Sequence, residues 1–132
     1  MSYLIDSDTC SAVLKNDRRV FGRFMQHLGQ LHISSVTAGE LFAWTFRANA
    51  PASRLRRMAD LLNDVTVLDF GEPEARAFGS LRAALLNAGR PAPALDLLIS
   101  ATAVHHGLTL ITHNIRDYAN VPGLTVEDWL AP

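Results

Sequence analysis

Cysteine occurs once, at Cys10, which excludes an intrachain disulfide and any metal centre built from several thiolates. Lysine also occurs once, at Lys15, and the formal net charge is −1. The chain therefore has no bulk positive charge with which to hold nucleic acid. Glycine-rich phosphate loops are missing, and no serine or cysteine has the adjacent base that a nucleophilic triad needs. Met1–Asp6 carries no basic leader, and the most apolar stretch is interrupted by Asp96 before it is long enough to span a bilayer. The expectation is a cytosolic protein with no membrane association. Repeats, linkers and low-complexity segments are absent as well, so the 132 residues read as one domain, 1–132, able to bury roughly two-thirds of the unfolded surface.

What is present is globular in balance, with 48% hydrophobic and 19% charged residues. Eleven arginines stand against the one lysine. Arginine suits bidentate phosphate contact, but coding bias accounts for the number, so position carries the weight. Tyr3-Leu4-Ile5 reads as a strand ending at Asp6, followed by a helix from about Thr9 to Lys15, with Asp8 as its cap. Phe21, Phe24, Met25 and Leu28 recur at helical spacing, and Leu31–Ser34 is a second strand. A helix follows to about Ala48, in which Thr37 and Glu40 fit a capping box. Another runs from Arg54 to Leu62 with Leu55, Met58 and Leu62 as its apolar side and Arg54, Arg56 and Arg57 on the rest. Val65–Asp69 is a third strand, and Pro73 opens a long helix closed by Asn87-Ala88-Gly89.

The central stretch is Gly89–Asp117. Pro91 and Pro93 precede an almost wholly apolar helix that Gly107 closes, with His105-His106 at its end as a terminus feature. Leu108–Ile111 is a buried strand, Thr112–Tyr118 a polar loop, Leu124–Val126 a last short strand and Glu127–Leu130 a tail. Strands alternating with helices predict an α/β fold with helices on both faces of a mostly parallel sheet. Ligand sites in such sheets lie at the carboxyl ends of the strands.

Asp6 follows the first strand, Glu40 starts a helix after the second, Asp96 starts the apolar helix, and Asp117 follows the strand at Leu108–Ile111. If those strands are neighbours, the acids converge on one edge. Packed carboxylates repel unless a cation compensates. Oxygen-only donors suit Mg²⁺ or Mn²⁺, ions that serve phosphodiester hydrolysis. For each acid the competing reading is a helix cap or dipole partner.

Leu4-Ile5-Asp6-Ser7-Asp8, Ser34–Leu41, Gly89-Arg90-Pro91 leading to Asp96–Ala101, and Thr112–Tyr118, in that order and spacing, resemble PIN-domain ribonucleases. More narrowly they resemble the VapC toxins of bacterial toxin–antitoxin pairs. The Gly123–Trp129 ending is similar to the branch that cuts initiator tRNA. The resemblance implies a PIN-like three-layer α/β/α fold and a Mg²⁺- or Mn²⁺-dependent endoribonuclease that inhibits translation. It also implies a homodimer and a cognate VapB-type antitoxin covering the site. Asp6, Glu40 and Asp96 match the family's metal-binding acids. The fourth acid of the family falls near Asn114 or Asp117, and the first of these is an amide; the expectation takes Asp117 as the ligand, with Asn114 and Thr112 behind the ligands.

Two other readings compete. A phosphoacceptor signalling domain would use Asp69 and would need a lysine after its last strand; the sole lysine is Lys15. A catalytically inactive PIN binding module would not need three acids. One surface also stands out. The Glu40 helix is apolar on nearly every side, and Phe42, Trp44 and Phe46 form an expected partner-binding face for the antitoxin or a second subunit.

Overall fold

Strand β1 (Tyr3–Ile5) occupies the middle of a five-stranded sheet in the computed structural model, which describes residues 2–132. The other strands are β2 (Leu31–Ser34), β3 (Thr66–Leu68), β4 (Thr109–Ile111) and β5 (Val126–Glu127). Their order is β3-β2-β1-β4-β5, and every pairing is parallel. The expected neighbours are therefore adjacent, and the mostly parallel sheet is parallel throughout the described residues. Because β1 has β2 on one side and β4 on the other, the strand order reverses between β1 and β4, which opens a crevice at their carboxyl ends.

The pleat sorts the core into two layers. Ile5, Ile33 and Ile111 face α1 (Ser7–Leu14), α2 (Arg18–Gln26), α3 (Ser35–Thr45) and α4 (Ala52–Asp64), packing with Cys10, Phe24, Leu41 and Met58. Leu4 and Leu110 face the opposite way, toward Ile99 and Ala103 of α6 (Ala94–His106). Outside α6 lies α5 (Glu72–Asn87), held through Leu81, Leu85, Leu97 and Ala101. Leu4, Ile5, Leu110 and Ile111 are fully buried, as continuous apolar runs covered on both faces must be. This is the three-layer α/β/α arrangement. No helix among the described residues is long and apolar enough to cross a membrane.

Local chemistry corrects several element readings. Asp6, not Asp8, is the cap of α1, its Oδ1 accepting from Ser7 N at 2.8 Å. Ser34 caps α3 through Thr37 N, so the Thr37–Glu40 capping box does not exist and Glu40 lies beyond the first turn. In α4 the buried residues are Met58 and Leu61, three apart on one stripe; Leu55 is exposed and Leu62 only partly buried at that stripe's edge. Two of its three arginines are engaged with the fold, while Arg56 is exposed. Arg54 lies over the Trp44 ring and donates to Trp44 O, and Arg57 donates to Leu14 O. Both thus satisfy carbonyls left over at the ends of α3 and α1. The expected loop after β4 contains a single helical turn, α7 (Ile115–Tyr118). The last strand starts later than expected, at Val126.

Candidate active site

Extended backbone brings Asp6 off the end of β1 at ψ 162°, and its carboxyl turns into the crevice beside β4. Its Oδ2 accepts from Thr112 Oγ1 at 2.9 Å and from the Tyr118 hydroxyl at 3.0 Å. Thr112 is the residue after β4, and its Oγ1 in turn accepts from Asn114 N. The Tyr118 hydroxyl also lies 3.4 Å from Asp96 Oδ1, so one phenol stands between the two acids. Asp8 joins the same group. Its Oδ2 accepts from His113 N at 3.1 Å and lies 3.4 Å from Thr112 Oγ1.

Electrostatics agree with this proximity. Burial, and secondarily the Asp8 charge, push the Asp6 carboxyl up to about 6. Asp96 is also raised, by burial first and then by Asp117 and Asp8. Burial, followed by the charges of Asp6 and Asp96, drives the Tyr118 hydroxyl far above its usual range, so it stays a donor. Among the described residues, no ion pair involves Asp6, Asp8, Asp96 or Asp117. Asp96 makes no cap bond to its helix either, which removes the capping explanation for it.

Of the sequence-predicted residues, Asp6, Asp96, Asp117 and Thr112 therefore come together. Asn114 contributes its backbone N–H; no hydrogen bond involves its amide among the described residues. Glu40 is joined to the aspartates by no hydrogen bond. It sits on α3, which packs against both α1 and α6, and its Oε1 is buried without a partner. A buried, unpaired carboxylate oxygen is costly and calls for a ligand.

Two members were missed. Asp8, favoured as a cap over a place among the acids, lies inside the helix because Asp6 takes the cap, and its Oδ2 turns to Thr112 and His113 beyond β4. Tyr118 read as loop polarity, although a tyrosine that becomes buried needs a partner for its hydroxyl. A cleft bordered by His113, Asn114, Arg116, Asp117 and Asp128 runs beside the group. The donor set, all oxygen with clustered negative charge, fits a hard divalent cation.

The PIN domain family pattern matches residues 3–124. The chain is 32% identical over 130 residues to the tRNA(fMet)-specific endonuclease VapC of Shigella flexneri, covering 98% of both. It is 30% identical, at the same coverage, to the protein of that name from Salmonella typhimurium. The chain belongs to the PIN-domain family, in its VapC group. DNA-bound VapBC from Salmonella typhimurium superimposes on this PIN domain with a TM-score of 0.91 at 30% identity, over 98% of each chain.

Proposed function

We propose that this PIN domain is a Mg²⁺- or Mn²⁺-dependent endoribonuclease, the toxin of a VapBC-type pair, which cuts tRNA, initiator tRNA in particular, and so stops translation in the cytosol. The observation that carries the reading is the convergence of Asp6, Asp8, Asp96 and Asp117 at one strand-order reversal, with no ion pair to compensate them among the described residues. With Glu40, these acids would hold the ion. A divalent cation there supplies charge for the phosphoryl oxygens and lowers the pKa of bound water. The chain's own residues do the rest. Thr112 and Tyr118 fix one oxygen of Asp6 by two hydroxyl donors, which sets the carboxylate's orientation. Tyr118 keeps its proton and donates it to Asp6 at 3.0 Å, with Asp96 Oδ1 3.4 Å away as the alternative acceptor. The adjoining cleft offers Arg116 to a phosphate and Asn114 to a base or ribose.

The phosphoacceptor reading has no support in the arrangement. Asp69 follows the edge strand β3, with β2 between it and β1, and Lys15 sits at the end of α1. The deciding experiment incubates purified protein with total RNA, with and without Mg²⁺, and maps the new ends. Mg²⁺-dependent cuts in initiator tRNA are expected. Cuts elsewhere would move the substrate, and no cuts at all would leave an RNA- or protein-binding module.

Asp117 faces Asp96 closely enough to raise it, whereas the Asn114 amide reaches no partner among the described residues. Asp117→Ala is therefore expected to weaken Mn²⁺ binding, measured calorimetrically, more than Asn114→Ala does. Greater damage from Asn114→Ala would reverse the assignment.

A VapB-type antitoxin is the proposed partner, with a homodimer as the assembly that presents it. Phe46 is 72% exposed and stacks on Phe42, whereas Phe42 and Trp44 are partly buried against the core, with Arg54 lying over the Trp44 ring. Phe46→Ala is thus expected to leave the fold intact and to weaken antitoxin binding or dimerisation by roughly 1–4 kcal/mol. Unfolding without a separable binding defect would return Phe46 to the core.

A further inference from the structure

The crossing of α5 and α6 brings three metal-ligating side chains together far from the acids. His105 and His106 occupy the last turn of α6, and Glu74 the first turn of α5. His106 Nε2 lies 3.0 Å and His105 Nε2 3.8 Å from the same Glu74 oxygen, Oε2, and the three ligand atoms fall within 4.8 Å of one another. Glu74 is held in place for this. Its Oε1 accepts from the backbone N–H of Gly71, the N-cap of α5, at 2.8 Å, which leaves Oε2 for the histidines.

We propose that Glu74, His105 and His106 form a second cation site, for a Zn²⁺-class ion, that clamps the start of α5 to the end of α6. Zinc bonds to imidazole nitrogen and carboxylate oxygen are about 2.0–2.2 Å long, so ligand atoms around a tetrahedral ion stand about 3.3–3.5 Å apart. The separations of 3.0 and 3.8 Å bracket that value, and closure needs only side-chain adjustment. Two imidazoles select zinc, nickel or copper over the Mg²⁺ and Mn²⁺ that an all-oxygen group takes. The histidine side chains are 41% and 33% exposed, which gives the ion an entry path and a water in its remaining position. The site is also separate from the acid crevice. Asp96 and His106 lie at opposite ends of α6, about 15 Å apart at about 1.5 Å per residue.

The competing account is that both histidines simply hydrogen-bond Glu74 and complement the helix dipole. Titrating the full chain with Zn²⁺ by calorimetry, and with Co²⁺ by visible absorption, in excess Mg²⁺ to load the acid crevice, separates the two. One Zn²⁺ should bind with proton release, shift the ¹⁵N resonances of both imidazoles and raise the unfolding midpoint. His105→Ala and His106→Ala should each weaken binding on the order of tenfold or more, and Asp96→Asn should leave it unchanged. Glu74→Gln should weaken it too while keeping the cap through its amide oxygen. No binding in large Zn²⁺ excess, wild-type affinity in the histidine variants, or loss of binding in Asp96→Asn would each overturn the proposal.

Discussion

Asp6→Asn and Asp96→Asn should each lower RNA cleavage by orders of magnitude while the folded chain survives, because each removes a charge from the group that binds the cation. Survival follows from the hydrogen bonding. At position 6, asparagine keeps an oxygen for Ser7 N. The Thr112 and Tyr118 hydroxyls can rotate, toward Asp8 and Asp96 respectively, and accept from the new amide. Stability at neutral pH should hold or rise, and the sign is fixed by linkage. Asp6 is raised from 3.8 to about 6 in the fold, so between these values the folded state binds more protons than the unfolded chain. Its contribution therefore falls as pH rises through that window and is lowest above pH 6. Asp6 is only 4% exposed, so little solvent screening applies, and the shift corresponds to about 3 kcal/mol. Asp96 acts in the same direction. In chelator, the wild-type unfolding free energy should drop between about pH 4 and pH 7 relative to that of Asp6→Asn. Parallel curves for the two proteins would show that Asp6 carries no such strain, and full activity of either variant would end the metal-site reading.

The sequence made the sheet legible because a parallel sheet covered on both faces favours apolar runs, and Tyr3-Leu4-Ile5 and Leu110-Ile111 stand out between polar flanks, while in β2 Leu31 and Ile33 alternate with His32 and Ser34. It also exposed Asp96, since a carboxylate in an otherwise greasy helix is conspicuous. Where several residues compete for one local role, the outcome was hidden. Asp6, Ser7, Asp8 and Thr9 are all cap-prone, and the continuation of β1 as far as Ile5 decides for Asp6. Ser34 and Thr37 compete in the same way, and the earlier start of α3 takes Glu40 out of the cap and leaves its oxygen buried and unpaired. Tyr118 was beyond local reading altogether. Its two acid partners are 112 and 22 residues away in the chain, so only the assembled crevice gives the phenol its role. The Glu74–His106 contact is likewise a product of the α5–α6 crossing.

Trp129→Ala should be the most destabilising single change outside the strands, by about 3–5 kcal/mol, although the residue lies in what reads as a tail. Its side chain is fully buried. The indole stacks on His27 at 5.2 Å and meets Tyr3 edge-on at 5.1 Å, and its Nε1 donates to Glu127 Oε1. Removing it empties the space between β1 and α2 and frees the last strand. The damage should reach the acids. Asp128, next in the chain, accepts from Leu130 N and lies 3.1 Å from His113 Nδ1, while His113 N donates to Asp8. A loosened tail thus releases the loop that orients Asp8. Urea unfolding would measure the stability loss, and cleavage assayed at a temperature where the variant is still folded would measure the second effect. Trp129→Phe, which retains an aromatic ring but no N–H, should recover most of both. A loss below about 1 kcal/mol, the range of an ordinary surface change, would mean that the tail does not hold the crevice together.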